Sequence, residues 1–158
     1  MATVRVQREP FDIGAEIAAL TAGRTDIGGI GSFLGCVRAD AAPGEPAITR
    51  LVLEHYPAMT QRAMADIAAE AERRWSLLGC TVLHRVGPLA PGDPIVLVLA
   101  AAAHRQAALE ATSFLIDWLK TRAPFWKKEC LADGRERWVD ARDADEAAAS
   151  RWADAVAP

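Results

Sequence analysis

The chain has 158 residues, 51% hydrophobic and 25% charged, with a formal net charge of −3. That is enough apolar sequence for one buried core and too little length for two ordinary domains, and it excludes a disordered chain. The acidic balance argues against nucleic acid as a partner, and no apolar run approaches the ~20 residues of a membrane span.

ATVRVQ opens as a strand with Val4 and Val6 on one face. Asp12 is placed to cap a short helix, IGAEIAALTA, that ends near Gly23. Residues 27–38, IGGIGSFLGCVR, mix glycine with apolar residues but carry no GKS or GKT, so they are not a phosphate-binding loop. Glycine within such a strand marks a bulge or a close backbone approach. After the polar loop ADAAPGEPA, residues 48–56 alternate as a strand that Pro57 closes, and 59–75 have helical spacing. CTVLHRVGPL, 80–89, reads as one strand, PGD at 91–93 as a turn, and 94–103 as an apolar strand in the middle of a sheet. A second long helix covers 104–122 and stops before Pro124. FWKKECLAD and RERWVDA form a hairpin about Asp133-Gly134, and a last helix covers about 144–156. Strands and helices interleave, yet several strand pairs are hairpin-like. The fold class is therefore α+β with mostly antiparallel pairing.

Cys36, Cys80 and Cys130 lie far apart with no CxxC pair, which predicts no disulfide framework and no zinc cage. With the charged, alternating N-terminus they point to a reducing compartment, the cytoplasm. No HxH or HExxH spacing supports a metal, and His55 and His84 read as structural histidines. GxSxG is absent as well.

Charge is unevenly spread. KTRAPFWKK, 120–128, holds Lys120, Arg122, Lys127 and Lys128 with no acid among them. On the 104–122 helix the apolar residues fill an arc of roughly 220°, wider than a surface helix needs, so it packs on a sheet and on something else besides. Lys120 falls at the arc's boundary, where two readings stand: a stem that snorkels along apolar surface, or an amine that partial burial among cations makes nucleophilic. If FWKKEC is extended, Phe125, Lys127 and Glu129 share one face, with Trp126, Lys128 and Cys130 on the other. Glu129 either orients Lys127 or forms an ordinary ion pair. His104-Arg105 opens the helix at its anion-favouring end, about 24 Å by rise from Lys120. Either a site shared between subunits or a long ligand would connect the two ends. Composition and spacing reach an α+β domain with a lysine/arginine anion site.

FLGCVR (33–38), LVLEHYPAMT (51–60), HRVGPLAPGD (84–93), AHRQAALEA (103–111), LIDWLKTRAPFWKKE (115–129) and DGRERWVDAR occur in one order and at family spacing. Together they resemble the large, catalytic subunit of molybdopterin synthase over about residues 3–145. The resemblance implies a domain at 1–145, an α/β hammerhead with an added antiparallel subdomain, and a helical tail at 146–158. It implies a sulfurtransferase of molybdenum cofactor biosynthesis that converts cyclic pyranopterin monophosphate to molybdopterin. Two sulfurs would come from the Gly-Gly thiocarboxylate of a small ubiquitin-like subunit docked on a central dimer of large subunits. No cofactor is implied, and no cysteine is required, because the sulfur is imported. By motif, Lys120 and Lys127 match the lysines at the reacting centre. Cys36-Val37-Arg38 and Lys127-Lys128-Glu129 match substrate-contacting stretches, and His104-Arg105 an anion-contacting pair, with the pocket completed across the dimer. The chain departs from the pattern at Ala58, usually glycine, and at Cys36, often basic or polar.

Two readings of activity follow: an enzyme that forms the dithiolene, or a dimeric module that binds an anion and a chain end without catalysis. An RNA-binding domain is a poor fit, since the chain is acidic and has a lone tyrosine, Tyr56.

Overall fold

The computed structural model describes residues 2–40, 42–139 and 143–153, with the backbone alone for 143–145. Its elements are β1 (Thr3–Gln7), α1 (Ile13–Thr21), β2 (Gly29–Cys36), β3 (Ile48–His55), α2 (Pro57–Trp75), β4 (Gly79–Arg85), β5 (Gly87–Leu89), β6 (Pro94–Ala102), α3 (Arg105–Arg122), β7 (Phe125–Leu131), β8 (Glu136–Val139) and α4 (Asp143–Ser150). They form two four-stranded sheets, β1-β4-β6-β2 and β5-β3-β7-β8. All pairs are antiparallel except β1 with β4, in keeping with the α+β expectation.

Local chemistry explains most boundaries. Asp12 accepts a hydrogen bond from the Ala15 N–H at 2.7 Å and so caps α1. Pro57 does more than close β3: it is the first residue of α2, where its fixed φ is pre-organised and no N–H is missed. Ala58 therefore sits in an exposed helical turn that tolerates its methyl. β6 lies between β4 and β2, and all of it but Pro94 is buried, as expected of a central strand.

The single strand expected at 80–89 is two strands in different sheets. Gly87 takes a φ of 83° and turns the chain after Val86, so β4 pairs with β1 and β6 while β5 pairs with β3. The hydrophobic run hides the turn because β4 is buried throughout and Gly87 and Leu89 of β5 are buried too. The last helix is shorter than expected; the end of its predicted range, 154–156, lies outside the described residues.

The core has two layers around the first sheet. Cys80, Val82, Val96, Val98 and Ala100 face Met64, Ile67 and Ala71 of α2 and Ala111, Phe114 and Leu115 of α3. On the other face Leu83, Leu97 and Leu99 meet Ile13, Ile17 and Leu20 of α1. Helix α3 packs on β2 and β6 and also on α2 and α4, which accounts for its wide apolar arc. It comes close enough to β2 that a Cβ on Gly31 would stand 2.4 Å from the Ala108 carbonyl oxygen.

Candidate active site

The register of β2 against α3 fixes which ends meet. Gly29 lies beside Arg105 and Gly31 beside Ala108 and Thr112, so α3 advances along β2 toward Cys36. His104 and Arg105 are exposed at the start of α3, next to Gly28 and Ala103 in an open recess. Lys120 is exposed in the last turn of α3, about 22 Å from Arg105 by helical rise. Within one chain, then, the His104-Arg105 end and the lysine end of α3 are held apart.

The lysine end is built at a corner. Arg122 ends α3, Ala123 and Pro124 turn the chain, and Phe125 begins β7. By alternation Phe125 and Lys127 share a face of β7, and Trp126 and Lys128 the other. Phe125 lies 3.9 Å between centroids from the His84 ring, at 21°, and 6.4 Å from His55. Trp126 instead meets Tyr56 edge-on at 4.8 Å. His84 shares the face of β4 that carries Cys80 and Val82, the face covered by α2 and α3.

This arrangement sorts the basic island. Arg122 stacks its guanidinium 4.4 Å from the Trp118 ring centroid. Lys128 reaches Glu136 Oε2 at 3.4 Å and lies 5.8 Å from the Trp138 ring. Glu129 accepts a 3.0 Å hydrogen bond from Arg137 Nε, its register partner on β8. The charges of Lys127 and Lys120 both disfavour a proton on His84.

Burial pushes the His84 imidazole down to about 3; the hydrogen bond to the Arg85 carbonyl opposes this, and the charges of Lys127, Lys120 and His55 reinforce it. The ring is therefore neutral at ordinary pH. Its Nδ1 is 2.8 Å from a carbonyl oxygen, which only accepts, so Nδ1 carries the proton and donates. Arg85, by contrast, gives its guanidinium to the carbonyls of Arg8 and Pro94 and is structural.

The remaining predicted residues leave from the far end of β2. Cys36 is exposed. Val37 is buried, its N–H donating to Asp93 O at 2.9 Å and its carbonyl accepting from Gly92 N–H at 2.7 Å. It anchors the strand end, while Arg38 is exposed, with a loose 4.0 Å contact to Asp40. Cys80 is inert: burial pushes its thiol up to about 12. The sequence reading missed His84 as a part of this site, because only the tertiary stack on Phe125 brings it to the lysines.

Residues 6–122 match the family model described as MoaE protein. The chain belongs to the MoaE family. The molybdopterin synthase catalytic subunit of Mesorhizobium japonicum is 56% identical over 151 residues, covering 95% of this chain and 92% of that one. The Pseudomonas aeruginosa molybdopterin synthase catalytic subunit is 53% identical over 149 residues, covering 94% and 97%. Among solved structures, the Burkholderia ambifaria MoaE protein superposes with a TM-score of 0.81 at 49% identity, over 97% of this chain and 99% of that one. The MoaE family is thus the family that the WLKTRAPFWKKE run and its companions resemble, and its members share this two-sheet α+β fold.

Proposed function

We propose that this MoaE-family chain is the catalytic subunit of a molybdopterin synthase. In this reading it converts cyclic pyranopterin monophosphate to molybdopterin by transferring two sulfurs, each delivered by one thiocarboxylated Gly-Gly end of a small subunit. One observation carries the reading: Lys120, in the last turn of α3, and Lys127, near the start of β7, stand on either side of the Ala123-Pro124 corner, where the charge of each reaches the buried His84 imidazole. An acyl-transfer centre of this kind needs cations where charge develops on the donor carboxyl and on the displaced oxygen. Lys120 contacts the donor terminus and stabilises that charge or moves its proton. Lys127 holds and polarises the pterin intermediate. Cys36 and Val37 lie along the substrate stretch that Arg38 ends, and Lys128 and Glu129 brace the strand that carries Lys127.

His104 and Arg105 grip the phosphate, but from the opposite end of α3. A second copy of the chain resolves the separation by bringing its own His104 and Arg105 to this protomer's lysines, so the working unit is a dimer with one small subunit per site. No cysteine is required as a sulfur source, because the sulfur is imported; Cys80, buried with its thiol pushed up to about 12, is packing in the core.

The test is turnover with a thiocarboxylated small subunit and cyclic pyranopterin monophosphate. Replacing Lys120→Ala or Lys127→Ala is expected to lower dithiolene formation by about 10²-fold or more, the scale of losing a charge-stabilising group. Rates near wild type in Lys120→Ala would remove it from the mechanism. Binding of both ligands to the wild-type chain without dithiolene formation would favour the non-catalytic module.

A further inference from the structure

We propose that His84 is the positioning residue of the lysine pair, setting through Phe125 the corner that joins Lys120 to Lys127. The proposal rests on the reading of those two lysines as the reacting cations. Three observations lead to it. First, His84 is buried at the end of β4 while Phe125 is the first residue of β7, so their stacked rings tie one sheet to the other where the chain turns. Second, the ring is itself oriented, since its Nδ1–H donates to the Arg85 carbonyl at 2.8 Å and fixes the plane on which Phe125 lies. Third, the lysines flank that plane within the chain: Lys120 precedes the Ala123-Pro124 turn and Lys127 follows Phe125 on the same strand face. Sliding Phe125 off the ring displaces the end of α3 and the start of β7 together.

Histidine suits this place better than another flat ring. A phenylalanine would stack but could not bond the Arg85 carbonyl, and a permanently charged side chain would repel both lysines. The neutral imidazole bonds the carbonyl, stacks, and adds no third positive charge to the pocket.

The test is a double-mutant cycle on His84→Ala and Phe125→Leu, read as kcat at saturating thiocarboxylated small subunit and pterin, with the KM for the small subunit measured in parallel. Each single substitution is expected to lower kcat about 10-fold or more, the cost of a small misplacement of reacting groups, while that KM changes less than about twofold. The double variant should fall no further than the worse single one, because both remove one contact. His84→Phe, which keeps the ring, should regain most of the loss. Multiplying effects in the double variant, or wild-type kcat in folded His84→Ala, would overturn the proposal. Should His84→Ala not fold, His84→Phe and Phe125→Leu complete the reading, and wild-type kcat in Phe125→Leu overturns it equally. Lys120→Ala and Lys127→Ala assayed alongside separate the two ideas. If they stay active, the lysine reading fails and this one with it; if they are inactive while the cycle shows independence, only the role of His84 fails.

Discussion

At the scale of residues, the proton that His84 refuses has a thermodynamic signature. Its imidazole is held down to about 3 against an ordinary 6.5, by burial first, with Lys127, Lys120 and His55 adding to it. Between those values the unfolded chain binds a proton that the folded chain does not, so stability rises with pH across the window. The contribution is complete above 6.5 and is lost as pH falls toward 3. Urea unfolding at about pH 7 and about pH 4.5 should show the wild type losing up to about 1.4 kcal/mol per pH unit more than His84→Phe. Glu70, held down to about 2 by Arg73 and then Arg74, acts lower, below its ordinary 4.5, and is common to both proteins. An equal pH slope in the two proteins would show that His84 accepts its proton in the folded state. The lysines were legible because they sit in one short run; His84 was not, because its meaning lies in a ring from another sheet.

Elements were read well wherever a breaker spoke: Asp12, Pro57, the 91–93 turn, Pro124 and Asp133-Gly134 each fall at a boundary of the structure. The failure at Gly87 came from the same logic, since a glycine among buried residues resembles a strand interior until its φ of 83° is known. For the C-terminal tail the sequence predicts a helix and nothing about what it packs on. Past α4 the Trp152 ring meets Trp75 and Phe114 edge-on, its Nε1–H donates to Asp117 Oδ2 at 2.7 Å, and its carbonyl accepts from Arg74 at 2.8 Å. Asp117 lies one turn before Lys120 on α3. We expect Trp152→Ala to lower unfolding stability by about 3 kcal/mol, the low end for a core tryptophan because the ring is only half-buried, as chemical denaturation would show. A loss within error of zero would mean that the tail rides on α3 without supporting it.

The molecule as a whole presents cations at both ends of one helix, and a site shared between copies predicts complementation. Arg105→Ala and Lys120→Ala homodimers should each be inactive in sulfur transfer. Mixed by co-expression, they should recover up to about a quarter of wild-type activity, because half the dimers are mixed and each has one intact site. No recovery in verified mixed dimers would place Arg105 and Lys120 in one protomer's site. The sequence alone raised this question through the helix length, and only the register of β2 against α3 shows that the chain does not fold its two ends together.

The run 79–89 gives a strand to each sheet with only Val86 between them. Neither sheet is therefore free to slip past the other: the joint behaves as a welded hinge plate, with the lysine corner at its rim. A chain end seated against that corner would load the joint itself, and any tilt of one plate on the other would register at Gly87, whose backbone has the freedom to absorb it.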